Sequence, residues 1–266
     1  MPKYFFDKST IWEERFVTLP PDITRHLKVA KEFNSIILCD GEGVDYHAQR
    51  TRSYQKFAVQ QGQKGRKAKP RMTTWNPENP KEETSIFMIS NPTPCTTELE
   101  FPITLYQALP KGDKLDLIIQ KCVELGVDEI VPVCTAHSIA RIKDSNKKSE
   151  RYQRISLSAA EQSMRGKIPT VRPAISFEDA VQNIAEDTLH VVAYENENQR
   201  TMKEILTENK PQSIGIWIGA EGGFAENEIA ELTKRGAVTA SLGRRILRTE
   251  TAAIAAIAQI TCMWEG

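Results

Sequence analysis

The stretch that decides the fold class is Ile218-Gly219-Ala220-Glu221-Gly222-Gly223-Phe224. The residues before it, 214–218, form an apolar run that suits a buried strand, and residues 226–235 suit an amphipathic helix. Glycine tolerates positive φ and lets a ligand approach the backbone closely. Ligands of open α/β sheets bind beyond the carboxyl ends of the strands, which is where this turn lies. The stretch therefore predicts an α/β fold with a small-molecule site.

A second glycine-containing turn follows the strand-like residues 238–241 and leads into an alanine-rich helix from about Glu250. It reads Ser241-Leu242-Gly243-Arg244-Arg245-Ile246-Leu247-Arg248-Thr249-Glu250-Thr251. Neither turn matches the dinucleotide or P-loop spacing. Glu226 and Glu228 would occupy the positive end of the helix after the first turn, which disfavours a phosphate there. A ligand with a neutral or cationic centre fits this pair of turns better.

Length and composition narrow the class of protein. A chain of 266 residues can form one large or two modest domains, and we expect two. The five cysteines are widely spaced without a C-x-x-C pair, and the four histidines lack metal-ligand spacing. We therefore expect no metal and no disulfide framework. No signal peptide and no run of eighteen apolar residues is visible, so we expect a cytoplasmic protein without a membrane segment.

Residues 1–100 contain short alternating runs broken by glycine and proline, a pattern typical of a small β-barrel. Residues 60–83 are polar and form an expected insertion. Five basic residues lie within it: Lys64, Arg66, Lys67, Lys69 and Arg71. They form either a solvated loop or a surface that attracts the phosphates of a nucleic acid. Basic residues outnumber acidic ones over residues 1–172, which indicates either a polyanionic partner for the front of the chain or a small charge asymmetry without functional meaning.

From residue 101 onward, strand-like and helix-like runs alternate. A strand at 103–109, a helix with apolar residues on one face and a strand at 129–134 predict a βαβ unit with parallel strands. The other expected elements are helices near 147–165, 201–206 and 226–235, and strands near 190–194, 214–218 and 238–241. The alanines of the last helix permit close packing, either within one chain or across a homodimer interface.

Five ordered runs between residues 109 and 253 together resemble one known family. They are Leu109-Pro110-Lys111-Gly112-Asp113-Lys114, Ile119-Gln120-Lys121-Cys122-Val123-Glu124-Leu125-Gly126-Val127, Ala160-Glu161-Gln162-Ser163-Met164-Arg165, the first glycine turn, and residues 242–253. The chain resembles the small-subunit (16S) ribosomal RNA uridine-N3 methyltransferases, the RsmE family of the SPOUT superfamily.

The resemblance implies a PUA-like RNA-binding β-barrel in residues 1–100 and a SPOUT methyltransferase domain in residues 101–266. It implies a trefoil knot near residues 212–258 and a homodimer. The implied activity is methyl transfer from S-adenosylmethionine to N3 of a uridine. The implied partner is small-subunit ribosomal RNA or the assembling small ribosomal subunit.

The family's cofactor pocket is made by the knotted turns. Carried onto this sequence, the cofactor-binding residues are Tyr194, Ile218, Gly219, Glu221, Gly222, Gly223, Leu242, Gly243, Ile246 and Leu247. Glu221 either binds a ribose hydroxyl or holds its loop by accepting backbone amides. The family usually has a Ser or Thr helix cap where Ala225 stands, so we expect a helix that is capped less well, by about 1 kcal/mol.

Arg248 and Glu250 are the candidate catalytic residues. A guanidinium at Arg248 can stabilise negative charge on a uracil oxygen as the N3 proton leaves. The alternative for Arg248 is a salt bridge to Glu250 or Glu221. Glu250 can act as a general base, or it can be only a favourable charge at the start of a helix.

The candidate RNA-binding residues are Arg25, His26, Lys111, Gln162 and Arg165. Gln162 and Arg165 are three positions apart on one predicted helix, so we expect them to share a face. That face either lines the RNA side of the cleft or is simply solvated.

Two other classes of function compete with methyl transfer. One is a non-catalytic RNA-binding or ribosome-assembly factor that has kept the fold. The other is a nicotinamide-dependent oxidoreductase, which the missing dinucleotide fingerprint and the carboxylates of Glu226 and Glu228 disfavour.

Overall fold

The computed structural model describes residues 1–29, 34–51, 85–138, 145–185, 188–209 and 211–264. The chain separates into two compact units, Met1–Thr96 and Thr97–Gly266. The expected insertion at 60–83, with its basic residues, lies outside the described residues.

The first unit is built on a mixed sheet. Its strands are β1 (Lys3–Phe5), β2 (Ile11–Trp12), β3 (Phe16–Leu19), β4 (Ser35–Cys39), β5 (Val44–Arg50), β6 (Ser85–Ile89) and β7 (Thr93–Pro94), and its helix is α1 (Pro21–Val29). The strand order is β1-β4-β5-β6-β3-β2, with β7 beside β5. Strands β1 and β4 are parallel and the other pairs are antiparallel. Alternate residues such as Val17, Leu19 and Phe87 are buried, as expected for strands with one face on a core.

The second unit is an α/β domain. Its strands are β8 (Ile103–Ala108), β9 (Glu129–Cys134), β10 (Thr170–Val171), β11 (Ile175–Ser176), β12 (Leu189–Ala193), β13 (Ile214–Ile218) and β14 (Val238–Ala240). Its helices are α2 (Lys114–Glu124), α3 (Ser145–Gln162), α4 (Phe177–Gln182), α5 (Met202–Glu208), α6 (Glu226–Lys234) and α7 (Thr249–Trp264). The sheet order is β10-β9-β8-β13-β12-β14, with β11 also beside β9, and every pair is parallel. The predicted βαβ unit, β8-α2-β9, is confirmed.

Strand β13 lies in the interior of this sheet, between β8 and β12. All five of its residues are buried, as the continuous apolar run indicates. The Trp217 ring stacks on Tyr106 with ring centroids 4.1 Å apart, and its indole N–H donates to His190 Nδ1 at 3.0 Å. The His190 ring occupies the place of a Cβ at Gly215, which explains why glycine interrupts this strand.

Helix α7 packs against α2, α5 and β13. Its buried side chains include Ala253, Ala256, Ile257 and Ile260. Small residues let the helix approach its neighbours closely, so packing within the chain accounts for this part of the alanine-rich sequence.

Candidate active site

One cavity of about 590 Å³ lies at the carboxyl ends of the neighbouring strands β13, β12 and β14. Its walls come from the segments that follow these strands, residues 193–201, 218–223 and 241–247, with Thr249 and Ala252 of α7. Small-molecule sites commonly have volumes of about 300–1,000 Å³. The cavity is therefore large enough for a cofactor, at the position where parallel sheets bind ligands.

All ten residues predicted to bind a cofactor line this cavity: Tyr194, Ile218, Gly219, Glu221, Gly222, Gly223, Leu242, Gly243, Ile246 and Leu247. They come from three segments that are distant in sequence. Because their strands are adjacent and parallel, the segments emerge on the same edge of the sheet.

The first glycine turn is tightly closed. The Gly223 N–H donates to the Ala220 carbonyl at 3.0 Å, and Gly223 has a φ of +66°. A Cβ on Gly219 would lie 2.9 Å from the Gly223 backbone, closer than real Cβ contacts allow. A Cβ on Gly223 would collide with the carboxylate of Glu195. Glycine is thus required both to close the turn and to admit Glu195 beside it.

Thr249 and Gln107, which were not predicted to belong to the site, hold the glycine turn in place by hydrogen bonds. The Thr249 hydroxyl donates to the Gly219 carbonyl at 2.7 Å, and Gln107 Nε2 donates to Thr249 Oγ1 at 3.0 Å. Both side chains belong to buried residues. The end of β8, the glycine turn and the start of α7 are therefore joined by hydrogen bonds. The amide of Gln107 in the mostly apolar strand β8 is a sequence signal that a polar partner is needed there, but it does not indicate which residue provides it.

The carboxylate of Glu221 is engaged by the segment that precedes α2. It accepts hydrogen bonds from Lys114 Nζ at 2.7 Å and from the Lys111 N–H at 3.2 Å. Partial burial opposes ionisation, but these hydrogen bonds outweigh it and lower the pKa of Glu221. Of the two predicted roles, acceptance of a backbone amide is the one that the structure shows. Lys114 was not predicted as a site residue.

The two catalytic candidates differ in their surroundings. Arg248 is exposed, and neither of the salt bridges considered for it, to Glu221 or to Glu250, is formed. Glu250, in the first turn of α7, is largely buried, and its Oε2 lies 3.6 Å from Lys114 Nζ. Lys114 therefore contacts the carboxylates of both Glu221 and Glu250.

Helix α6 begins without a capping side chain at Ala225, as predicted. Glu228 compensates, because its Oε2 accepts the Ala225 N–H and its Oε1 accepts the Ala136 N–H, each at 2.8 Å. The predicted placement of this carboxylate at the helix N-terminus is confirmed. Ala136 belongs to the loop that follows β9. This loop also contacts the glycine turn, because His137 Nδ1 lies 2.7 Å from the Gly222 carbonyl oxygen.

Four of the five RNA-binding candidates are exposed. Arg25 and His26 lie on α1 in the first unit, where the His26 ring also contacts the Tyr4 hydroxyl. Lys111 and Gln162 are exposed in the second unit, before α2 and at the end of α3.

Arg165 contradicts the prediction of a shared helix face. Helix α3 ends at Gln162, and a positive φ of 63° at Met164 turns the chain inward. The Arg165 residue is only 3% exposed and forms a salt bridge of 2.6 Å with Glu98. Its guanidinium also donates to the carbonyls of Val123 and Val127. Arg165 therefore stabilises the fold through these buried contacts and is not accessible to RNA.

In the part of the chain that the structure describes, no three His, Cys, Asp or Glu side chains are grouped as metal ligands would be. Within the same described ranges, no helix has the length and apolar character needed to cross a membrane.

The fold and the cavity define an α/β domain with a cofactor-sized site at the carboxyl ends of its parallel strands, and residues 97–261 match the family described as RNA methyltransferase domain. The chain belongs to this RNA methyltransferase family, and the resemblance found in the sequence is confirmed.

Three individual proteins illustrate the similarity. The chain is 41% identical over 175 residues to ribosomal RNA small subunit methyltransferase E of Bacillus subtilis, covering 62% of this chain and 68% of that protein. It is 39% identical over 171 residues to the Synechocystis protein of the same name, covering 64% of this chain and 56% of the relative. The crystal structure of a Neisseria gonorrhoeae ribosomal RNA small subunit methyltransferase E bound to S-adenosyl methionine has a TM-score of 0.79 and 29% identity, covering 99% and 98% of the two chains.

Proposed function

We propose that the protein transfers the methyl group of S-adenosylmethionine to N3 of a uridine in small-subunit ribosomal RNA. The observation that carries this proposal is the cavity, which collects all ten residues expected to bind the cofactor. The relatives named above are ribosomal RNA small subunit methyltransferases. The donor bound in the Neisseria structure supports catalysis over a non-catalytic assembly role.

The residues of the cavity fit S-adenosylmethionine, which supplies an electrophilic methyl group when bound. Ile218, Leu242 and Leu247 give the cavity apolar walls suited to an adenine ring. Glu195 and Glu197 also line it and place negative charge near a cationic ligand. At the start of α6 the carboxylate of Glu228 already accepts the Ala225 N–H, and its negative charge disfavours a phosphate there.

In this proposal Arg248 acts on the uracil. Its guanidinium has no carboxylate partner among the described residues, so it is free to stabilise negative charge on a uracil carbonyl oxygen. Glu250 either accepts the N3 proton or serves as a favourable charge in the first turn of α7. Its contact with Lys114 is compatible with both roles.

RNA binding is assigned to both units. The mixed sheet of the first unit is proposed to be a PUA-like β-barrel that binds RNA through Arg25 and His26 on α1. In the second unit, Lys111 and Gln162 are exposed and available to RNA. The N3 edge of uracil is hidden in a paired helix, so the target base must be unpaired or flipped out. The substrate is ribosomal RNA or the assembling small subunit.

We also infer three further properties of the protein. They are a trefoil knot near residues 212–258, a homodimer and a cytoplasmic location. The knot is supported by the hydrogen bond from Thr249 to Gly219, which brings the start of α7 against the earlier turn. The dimer is supported by the exposed apolar residues Leu117 and Met263 on the packed helices α2 and α7.

Methyl transfer with identification of the product tests the proposed function. The protein is incubated with methyl-labelled S-adenosylmethionine and small-subunit ribosomal RNA that lacks the modification, and the RNA is digested to nucleosides. We expect the label in 3-methyluridine. Label in another nucleoside or in protein would reject the assignment of the substrate.

A further inference from the structure

The loop between β14 and α7 carries three arginines within five residues: Arg244, Arg245 and Arg248. All three are exposed, and none has a carboxylate partner among the described residues. Of the other arginines of the second unit that the structure describes, five pair with a carboxylate: Arg151 with Asp116, Arg165 with Glu98, Arg172 with Glu129, Arg200 with Glu208 and Arg235 with Glu231. The sixth, Arg154, donates to the backbone carbonyl of Glu150. Three guanidiniums without a carboxylate partner among the described residues are thus grouped on this loop.

The position of the loop indicates what the arginines contact. Arg244 and Arg245 line the cavity, and so does Ile246, which is 89% exposed. A guanidinium presents a fork of N–H donors that matches carboxylate and phosphate oxygens. The methyl donor carries a single carboxylate, fewer anionic groups than the loop has unpaired guanidiniums. An RNA strand that delivers a base to the cavity carries a phosphate on each side of that base.

We propose that Arg244 and Arg245 bind phosphodiester groups of the RNA strand next to the target nucleotide, while Ile246 packs against a ribose or base between them. This inference rests on the proposed function, because it takes the cavity as the place where the base is methylated. It assigns substrate binding to two residues outside the set predicted to bind RNA. Arg248, on the same loop, keeps its separate role at the uracil.

The salt dependence of RNA binding tests this inference. Fluorescence anisotropy with a labelled fragment of small-subunit ribosomal RNA gives the affinity at several salt concentrations. We compare the wild type with R244Q/R245Q and with R172Q/R235Q, a control that removes the same charge from two exposed arginines with carboxylate partners. For a single strand the slope of log K against log salt changes by about 0.7 per phosphate contact, so we expect R244Q/R245Q to reduce it by about 1.4. The control should leave it unchanged.

Four results would overturn the inference. They are an unreduced slope in R244Q/R245Q, an equal reduction in the control, a loss of S-adenosylmethionine affinity with an unchanged slope, and a loss of self-association in sedimentation. The third result would mean that the arginines bind the carboxylate of S-adenosylmethionine. The fourth would mean that they contact a second copy of the chain. Failure of the proposed function is distinct, because the wild type itself would then form no 3-methyluridine in the RNA, whatever slopes the variants give.

Discussion

Lys114 and Glu221 form a salt bridge of 2.7 Å that joins the first residue of α2 to the glycine turn of the cavity. The two residues are 107 positions apart in sequence. Their hydrogen bond raises the pKa of Lys114 and lowers that of Glu221, so both are charged at neutral pH. Because Lys114 also lies 3.6 Å from Glu250, one ammonium group positions the turn and the start of α7 together.

Substitution K114M should therefore weaken the binding of S-adenosylmethionine by about tenfold. Without the ammonium, Glu221 loses its shortest hydrogen bond and the turn loses its attachment to α2. Isothermal titration calorimetry measures the change. K121M is the matched control, since Lys121 lies on the same helix and pairs with Glu124 at 2.8 Å, and neither residue lines the cavity. Equal affinity in K114M and K121M would show that Lys114 does not position the turn.

R248A should reduce the rate of methyl transfer by about 100-fold or more while leaving the dissociation constant for S-adenosylmethionine nearly unchanged. The reason is that Arg248 lies outside the residues lining the cavity and is proposed to act on the uracil. Single-turnover rates and calorimetry separate the two quantities. A parallel loss of rate and donor affinity would make Arg248 a residue of the pocket structure instead.

R165M should lower the free energy of unfolding by about 3–5 kcal/mol, because it leaves the carboxylate of Glu98 without its buried partner. Q162A, at the exposed end of α3, should change it by no more than about 0.5 kcal/mol. Urea unfolding followed by circular dichroism gives both values. If R165M were as stable as Q162A, the assignment of Arg165 to the fold would be wrong.

His190 should make the protein less stable in mild acid. Burial lowers its pKa from 6.5 to about 4. Between these values the unfolded chain binds a proton that the folded chain does not, so the free energy of unfolding decreases as pH falls, by at most about 3 kcal/mol. H190Q keeps an acceptor for the Trp217 N–H but does not titrate.

Urea unfolding at pH 7.5 and pH 4.5 should therefore show a larger loss of stability in the wild type than in H190Q. Carboxylates that titrate in this range contribute equally to both proteins and cancel in the comparison. Identical losses would mean that His190 is not held neutral in the folded state.

Much of the second unit follows from its sequence. The strands 129–134 and 214–218 were predicted to the residue, because each is an apolar run bounded by turn residues. The ten cavity residues were carried over from the resemblance to the family, and they lie together because parallel strands place their following turns on one edge. The first unit was less predictable: α1 was missed because it has nine residues and is mostly polar.

The contacts that hold the site in place were not predictable from local patterns. Gln107 and Thr249 are separated by 142 positions, and nothing in either segment indicates the other. The position of Arg165 depended on where α3 ends, and that is set by the backbone of Met164 and the ion pair with Glu98. Such pairings are determined by tertiary packing, which the periodicity of a single segment does not record.

The central claim is that the cavity binds S-adenosylmethionine, and calorimetry with a blocked cavity tests it most directly. Ala252 lines the cavity from α7, so A252F would fill it, whereas Ala258 lies on the same helix away from it and A258F serves as the control. Circular dichroism confirms that both variants are folded. We predict that the wild type and A258F bind one S-adenosylmethionine per chain and that A252F binds none. No uptake by the wild type, or undiminished uptake by A252F, would contradict the account.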